Sequence, residues 1–95
     1  MFDYSNKIAL VTGASGDIGR AIAISLAKQG AKVAITGRRS KVLDQICKQY
    51  PKAFTPLVRD LSQRDNVKTI VSDVENKLGP IDILINNAGI AEDQL

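Results

Sequence analysis

Three glycines spaced three residues apart, in Val11-Thr12-Gly13-Ala14-Ser15-Gly16-Asp17-Ile18-Gly19, form the stretch of this 95-residue chain best suited to chemistry. Such a turn can hold a pyrophosphate. One glycine allows tight turning, one lets the backbone approach a phosphate, and one lets a helix and a strand touch. Free N–H groups and the positive dipole end of the helix that follows strengthen the attraction. Thr12 and Ser15 add hydroxyls within reach of the turn. For Thr12 a structural role is expected, and for Ser15 a structural and a phosphate-binding role are equally expected. A second group suited to the same ligand is Gly37-Arg38-Arg39. At the end of the second strand of a dinucleotide fold, an acid bonds the ribose 2′-hydroxyl, whereas basic residues accept a 2′-phosphate. Arg38 can clamp a phosphate with two parallel bonds while stacking on adenine. The pair, with no acid beside it, predicts NADP(H) rather than NAD(H).

These residues need strands and helices to place them. Ile8-Ala9-Leu10-Val11 is a continuous apolar run, as expected of a parallel strand covered on both faces. From Ile18 the positions Ile18, Ala21, Ile22, Ser25 and Leu26 recur at helical spacing, and Gly30 is placed to end that helix. Val33-Ala34-Ile35 reads as a second strand. Ser40 is expected to cap a helix running to about Tyr50, with Val42, Leu43 and Ile46 on its inner stripe and Pro51 as its stop. Phe54 to Val58 reads as a third strand, weakened by Pro56. Ser62-Gln63-Arg64-Asp65 resembles a capping box for a helix bearing Val67, Ile70, Val71, Val74 and Leu78. Gly79-Pro80 closes that helix, and Ile81 to Ile85 reads as a fourth strand. Strict alternation with right-handed crossovers gives an α/β doubly wound parallel sheet of the Rossmann type, strand order 3-2-1-4. In that order the apolar fourth strand lies at an open edge, and the tail from Gly89 to Leu95 has the look of a loop leading onward. The chain is therefore expected to be the N-terminal portion of a larger single domain.

Composition narrows the function classes. A hydrophobic fraction of 44% and a charged fraction of 24% are those of an ordinary globular chain. The net charge of +3 comes with only four aromatics, and the Lys and Arg residues are dispersed except around Arg38, Arg39 and Lys41, so no nucleic-acid surface is expected. The absence of His argues against a metal site, and the single Cys47 excludes an internal disulfide. Cys47 reads as a small buried hydrophobe on a helix face rather than a nucleophile. No apolar run approaches membrane-spanning length, so no membrane partner is expected. The start Met-Phe-Asp-Tyr-Ser-Asn-Lys is unlike a signal peptide, and the chain reads as cytoplasmic.

Thr12 to Gly19, Asp60-Leu61 after the third strand and Asn86-Asn87-Ala88-Gly89 after the fourth together resemble the short-chain dehydrogenase/reductase family. The likeness covers the whole chain. Within the family the sequence is similar to beta-ketoacyl-acyl-carrier-protein reductases, from Lys7 to Ser15 and again from Ile83 to Ile90. The resemblance implies a cofactor site made by Gly13, Ala14, Ser15, Gly16, Ile18, Arg38, Arg39, Asp60, Leu61, Asn87, Ala88 and Gly89. Asp60 would accept a bond from the adenine amino group while Leu61 covers the ring. Asn87 and Ala88 would line the pocket beside the nicotinamide ribose, Gly89 would let backbone approach the cofactor, and Asn86 would tie strands together. The resemblance further implies reduction of a ketone, on acyl carrier protein or on another small molecule, in a homotetramer. A dehydrogenase of another alcohol, steroid, sugar or acyl-CoA shares these features, and a cofactor-binding module without activity is the alternative from another class.

The pattern departs from close relatives at two positions. They carry glycines at the places of Gly13, Asp17 and Gly19, often with a basic residue at the place of Gly16. Glycines at 13, 16 and 19 match the longer sugar-epimerase branch of the same superfamily. Asp17 also sets a negative charge close to where a pyrophosphate would lie. The family's chemistry uses a Tyr-x-x-x-Lys pair with an upstream Ser. Here Tyr4 and Tyr50 are followed four residues on by Ile8 and Phe54, so no catalytic residue is assigned.

Overall fold

Ile8–Thr12 forms β1, and Ala9, Leu10 and Val11 on its two faces are all fully buried. A strand with no solvent-facing side must lie inside a sheet covered above and below, which is what its uninterrupted apolar run requires. The structure, a computed structural model, describes residues 3–59 and 64–87. Its elements follow in the order β1, α1 (Asp17–Lys28), β2 (Lys32–Gly37), α2 (Ser40–Gln49), β3 (Phe54–Val58), α3 (Arg64–Leu78) and β4 (Ile83–Asn86). All strand pairs are parallel and the sheet order is β3-β2-β1-β4, the doubly wound arrangement expected from the alternating pattern.

The two faces carry separate cores. Ala9, Val11, Val33, Ile35 and Phe54 pack with Ala23 and Leu26 of α1 and with Leu43 and Ile46 of α2. On the other face Leu10, Ala34 and Leu57 pack with Ile70 and Val74 of α3. Pro56 stands in β3, an edge strand, where a missing N–H leaves no gap in an inner ladder. β4 is the opposite edge. Ile83 and Ile85 are half-buried against the first core, while Leu84, turned to the α3 face, is 55% exposed.

The helix ends follow local chemistry, with three departures from the sequence expectation. Gly30 has φ +99°, and the Gly30 and Ala31 N–H groups donate to the carbonyls of Ala27 and Leu26 (both 3.1 Å). That is the paired C-terminal closure which favours glycine. The buried stripe of α1 is Gly19, Ala23 and Leu26, not the expected Ile18, Ala21 and Ser25. Gly19 has no side chain and is drawn against the Gly13 carbonyl just past β1, and Ile18 faces outward. Ser40 is the first residue inside α2 rather than its cap. Arg39 holds the cap position, and its carbonyl already accepts the Leu43 N–H at 3.1 Å. β4 begins at Ile83 rather than Ile81. Glu75 accepts the Ile81 N–H (3.3 Å) and the Asp82 carboxylate accepts the Ile8 N–H (3.0 Å), so these two residues lead into the strand. The expected capping box at 62–65 lies in part outside the described residues.

Candidate functional site

The C-terminal ends of β1, β2 and β4 converge, and the glycine turn crosses them. Gly13 has φ +66°, a conformation in which a Cβ is strained. Its carbonyl accepts the Gly16 N–H at 3.2 Å, and the Ala14 N–H donates to the Thr36 carbonyl at 2.8 Å, seating the turn on β2. A Cβ on Gly19 would overlap the Gly13 carbonyl and come within 2.9 Å of Asn87 Nδ2. Gly13 and Gly19 are thus required by the fold itself. Gly16 differs. Its φ is −85°, and a Cβ there would meet nothing nearer than the Gly13 carbonyl at 3.6 Å. Gly16 caps α1 without any side-chain bond to the first-turn N–H groups. Bare backbone and an open approach at a helix start fit a pyrophosphate.

Beneath the turn, β1 and β4 are joined through one threonine. Thr12 Oγ1 donates to Asn86 Oδ1 (3.0 Å) and accepts the Asn87 N–H (2.9 Å). Asn87 is 6% exposed, and its amide lies 3.5 Å from the Gly13 carbonyl. Asn87 therefore supports the turn from below, at the point where Gly19 leaves it room. Asp60, Leu61, Ala88 and Gly89 lie outside the described residues.

Across the edge, Gly37 carries a role that sequence reasoning missed. A Cβ on Gly37 would come within 2.7 Å of Ser15 Oγ. A glycine closing a strand just before two arginines was the available signal. The absent side chain lets the first turn sit against the end of β2, so Ser15 and the start of Arg38-Arg39 share one rim. Arg38 and Arg39 are exposed, and Arg39 occupies the N-terminal cap position of α2. That helix start has no side-chain cap and no acid in its first turn, so its dipole adds to the positive charge there. The first turn of α1, by contrast, carries Asp17. Ile18 is 64% exposed at the same rim, an apolar surface beside the polar turn. Ala14 is buried beneath it. Thr36, fully buried on the α3 face, keeps a hydroxyl with no hydrogen-bond partner among the described residues. Burial first, and the charge of Asp44 second, push the Cys47 thiol up from its ordinary pKa, which favours an inert packed side chain over a nucleophile. No group of His, Cys, Asp and Glu suited to a metal ion occurs among the described residues. Nor is any helix among them long and apolar enough to cross a membrane.

A parallel sheet of order 3-2-1-4 with a glycine turn between its first strand and first helix is the arrangement of a Rossmann-like dinucleotide-binding fold. Residues 7–95 match the family model described as short chain dehydrogenase, and the chain belongs to that family, whose members are oxidoreductases working with nicotinamide cofactors. It is 48% identical over 89 residues to a short chain dehydrogenase of Pseudocercospora fijiensis, covering 90% of this chain and 28% of that relative. It is 40% identical over 95 residues to the 3-oxoacyl-acyl-carrier-protein reductase FabG of Staphylococcus epidermidis, covering 95% of this chain and 38% of the relative. The fold superposes on 2-keto-3-deoxy-D-gluconate dehydrogenase from Streptococcus agalactiae with a TM-score of 0.78 at 32% identity, over 90% of this chain and 34% of the other. The chain spans 28–40% of the length of such curated relatives.

Proposed function

We propose that this chain is the cofactor-holding portion of an NADPH-dependent ketone reductase acting on 3-oxoacyl groups carried by acyl carrier protein. The observation that carries the cofactor reading is the rim at Gly37-Arg38-Arg39. Two exposed arginines stand at a helix start that lacks both an acid and a side-chain cap, on the same edge as the glycine turn. A ribose 2′-hydroxyl can accept one weaker hydrogen bond from such a surface, whereas a 2′-phosphate gains two charge-assisted guanidinium partners and a dipole. NADPH, when bound, supplies the hydride. The residues of this chain bind and orient. Backbone N–H groups from Asp17 onward take the pyrophosphate, Arg38 and Arg39 take the 2′-phosphate, and Ile18 covers the cofactor on its apolar side. Asp60, Leu61, Asn87, Ala88 and Gly89 complete the site in this reading. The proton-donating and carbonyl-positioning groups lie elsewhere in the whole protein, which in this reading assembles as a homotetramer.

The substrate reading is supported by the 3-oxoacyl reductase among the relatives. A sugar-acid dehydrogenase is the second reading, favoured by the structural likeness to the gluconate-derivative dehydrogenase. Rates of NADPH oxidation by the intact protein with acetoacetyl-acyl-carrier-protein and with a 2-keto-3-deoxy sugar acid separate the two. Cofactor preference is tested with Arg38→Ala. NADPH binding should weaken at least tenfold and NADH binding less than twofold, consistent with a charge-assisted contact of about 1.5–3 kcal/mol. Equal loss for both cofactors would sink the NADP(H) reading.

A further inference from the structure

A third arginine stands at the end of the sheet that carries Arg38 and Arg39. The Arg59 N–H donates to the Gly37 carbonyl at 3.0 Å. This bond belongs to the Gly37–Val58 pair that ends the β2–β3 ladder, so Arg38 and Arg59 are the residues that follow the last pair on the two neighbouring strands. Two cations leaving neighbouring strands at the same end of a sheet repel. The Arg59 side chain, however, is held by other partners. One terminal nitrogen donates to the Val58 carbonyl and the other to Asp73 Oδ2 on α3, both at 3.0 Å. Asp73 thus neutralises a cation beside the basic rim. The two side chains are each 35% exposed. A pair this wet contributes little to folding, but its field reaches the neighbouring solvent-facing edge.

We propose that Arg59 and Asp73 form a charge-setting pair for the Arg38–Arg39 rim. Asp73 withholds the charge of Arg59, and so sets how strongly the site prefers a cofactor bearing a 2′-phosphate over one without it. The inference rests on the reading of Arg38 and Arg39 as the 2′-phosphate site. Neither residue of the pair needs to touch the cofactor. They are positioning residues for charge, and they act with opposite signs. Asp73→Asn leaves the full charge of Arg59 at the rim and raises the ratio of NADPH to NADH affinity. Arg59→Gln leaves Asp73 uncompensated and lowers that ratio. The double variant returns it to the starting value. One unit charge at about 10 Å with solvent-like screening shifts the ratio about two- to fourfold in each direction at low salt. A brace between β3 and α3 with no electrostatic role would instead make both single variants change in the same sense, losing stability and both affinities together.

The test is a set of dissociation constants for NADPH and NADH by nicotinamide fluorescence. They are measured on the intact wild type, both single variants, the double variant and the charge-conserving Arg59→Lys, with the urea midpoint of each unliganded protein. Opposite shifts that cancel in the double variant, fade in about 0.5 M salt and are absent in Arg59→Lys support the pair. Shifts of one sign, or no shift in either single variant, overturn it. Should one variant fail to fold, the sign from the other and the ratio for Arg59→Lys still decide. If the wild type shows no preference for NADPH, the reading of Arg38 and Arg39 has itself failed and the pair falls with it. If the preference exists and Arg38→Ala abolishes it, while the pair's shifts are not opposite, only the pair is refuted.

Discussion

Substituting alanine at Gly16 and at Gly19 should separate what the turn does for a ligand from what it does for the fold. At Gly19 the new Cβ would overlap the Gly13 carbonyl and press on Asn87 Nδ2 at 2.9 Å. The first neighbour is backbone, so relief requires α1 to move off β1 or the turn to open. Overpacking of this kind costs up to about 3 kcal/mol. Alanine inside a helix recovers about 1 kcal/mol over glycine, leaving a net loss near 2 kcal/mol. At Gly16 the Cβ meets only the Gly13 carbonyl at 3.6 Å, an ordinary contact, and φ is −85°. The poorer capping by alanine and the restricted unfolded chain offset one another there, so stability should stay within about 0.5 kcal/mol. Its methyl would project where a pyrophosphate approaches the α1 N-terminus, and dinucleotide affinity should fall at least tenfold. Urea unfolding followed by circular dichroism gives the first quantity, and nicotinamide fluorescence gives the second. A Gly19→Ala protein as stable as wild type would refute the close helix–strand approach. A Gly16→Ala protein that binds normally would refute the placement of the phosphate.

Two further substitutions probe single groups. Thr36→Val removes a buried hydroxyl with no partner among the described residues while keeping its shape, and should stabilise the protein by about 1 kcal/mol in urea titration; a loss would mean that the hydroxyl is bonded after all. Asp17→Gly removes the acid from the first turn of α1 and should tighten NADPH binding about threefold, the effect of one unit charge about 6 Å away in a solvent-like medium. Unchanged or weaker binding would place the Asp17 carboxylate away from the phosphate.

Much of the architecture was legible because local and global demands agree. Ala9 to Val11 and Val33 to Ile35 are apolar at every position, and only a strand covered on both faces uses such a run. Gly30 could be placed after α1 because few residues other than glycine adopt its positive φ cheaply. Strand order followed from the alternation of elements and the handedness of crossovers. The facing of α1 was not legible. Ile18 has the hydropathy of a core residue, and only the contact of Gly19 with Gly13 turns it outward. Arg39 at the cap of α2 was missed for a similar reason. Ser40 has the better capping side chain, yet the backbone becomes helical one residue earlier.

The sequence by itself determined the turn, the elements on either side of it, the basic pair at the end of β2 and the family to which the chain belongs. These are properties of residue type and short spacing, and they survive without knowledge of register. Tertiary structure alone decided that Gly37 makes room for Ser15, that Thr12 joins Asn86 and Asn87, and that Arg59 is spent on Asp73. Each of those contacts joins residues 14 to 75 positions apart in the chain. Whether such groups meet depends on the relative shift of parallel strands and the seating of α3, which no local pattern encodes.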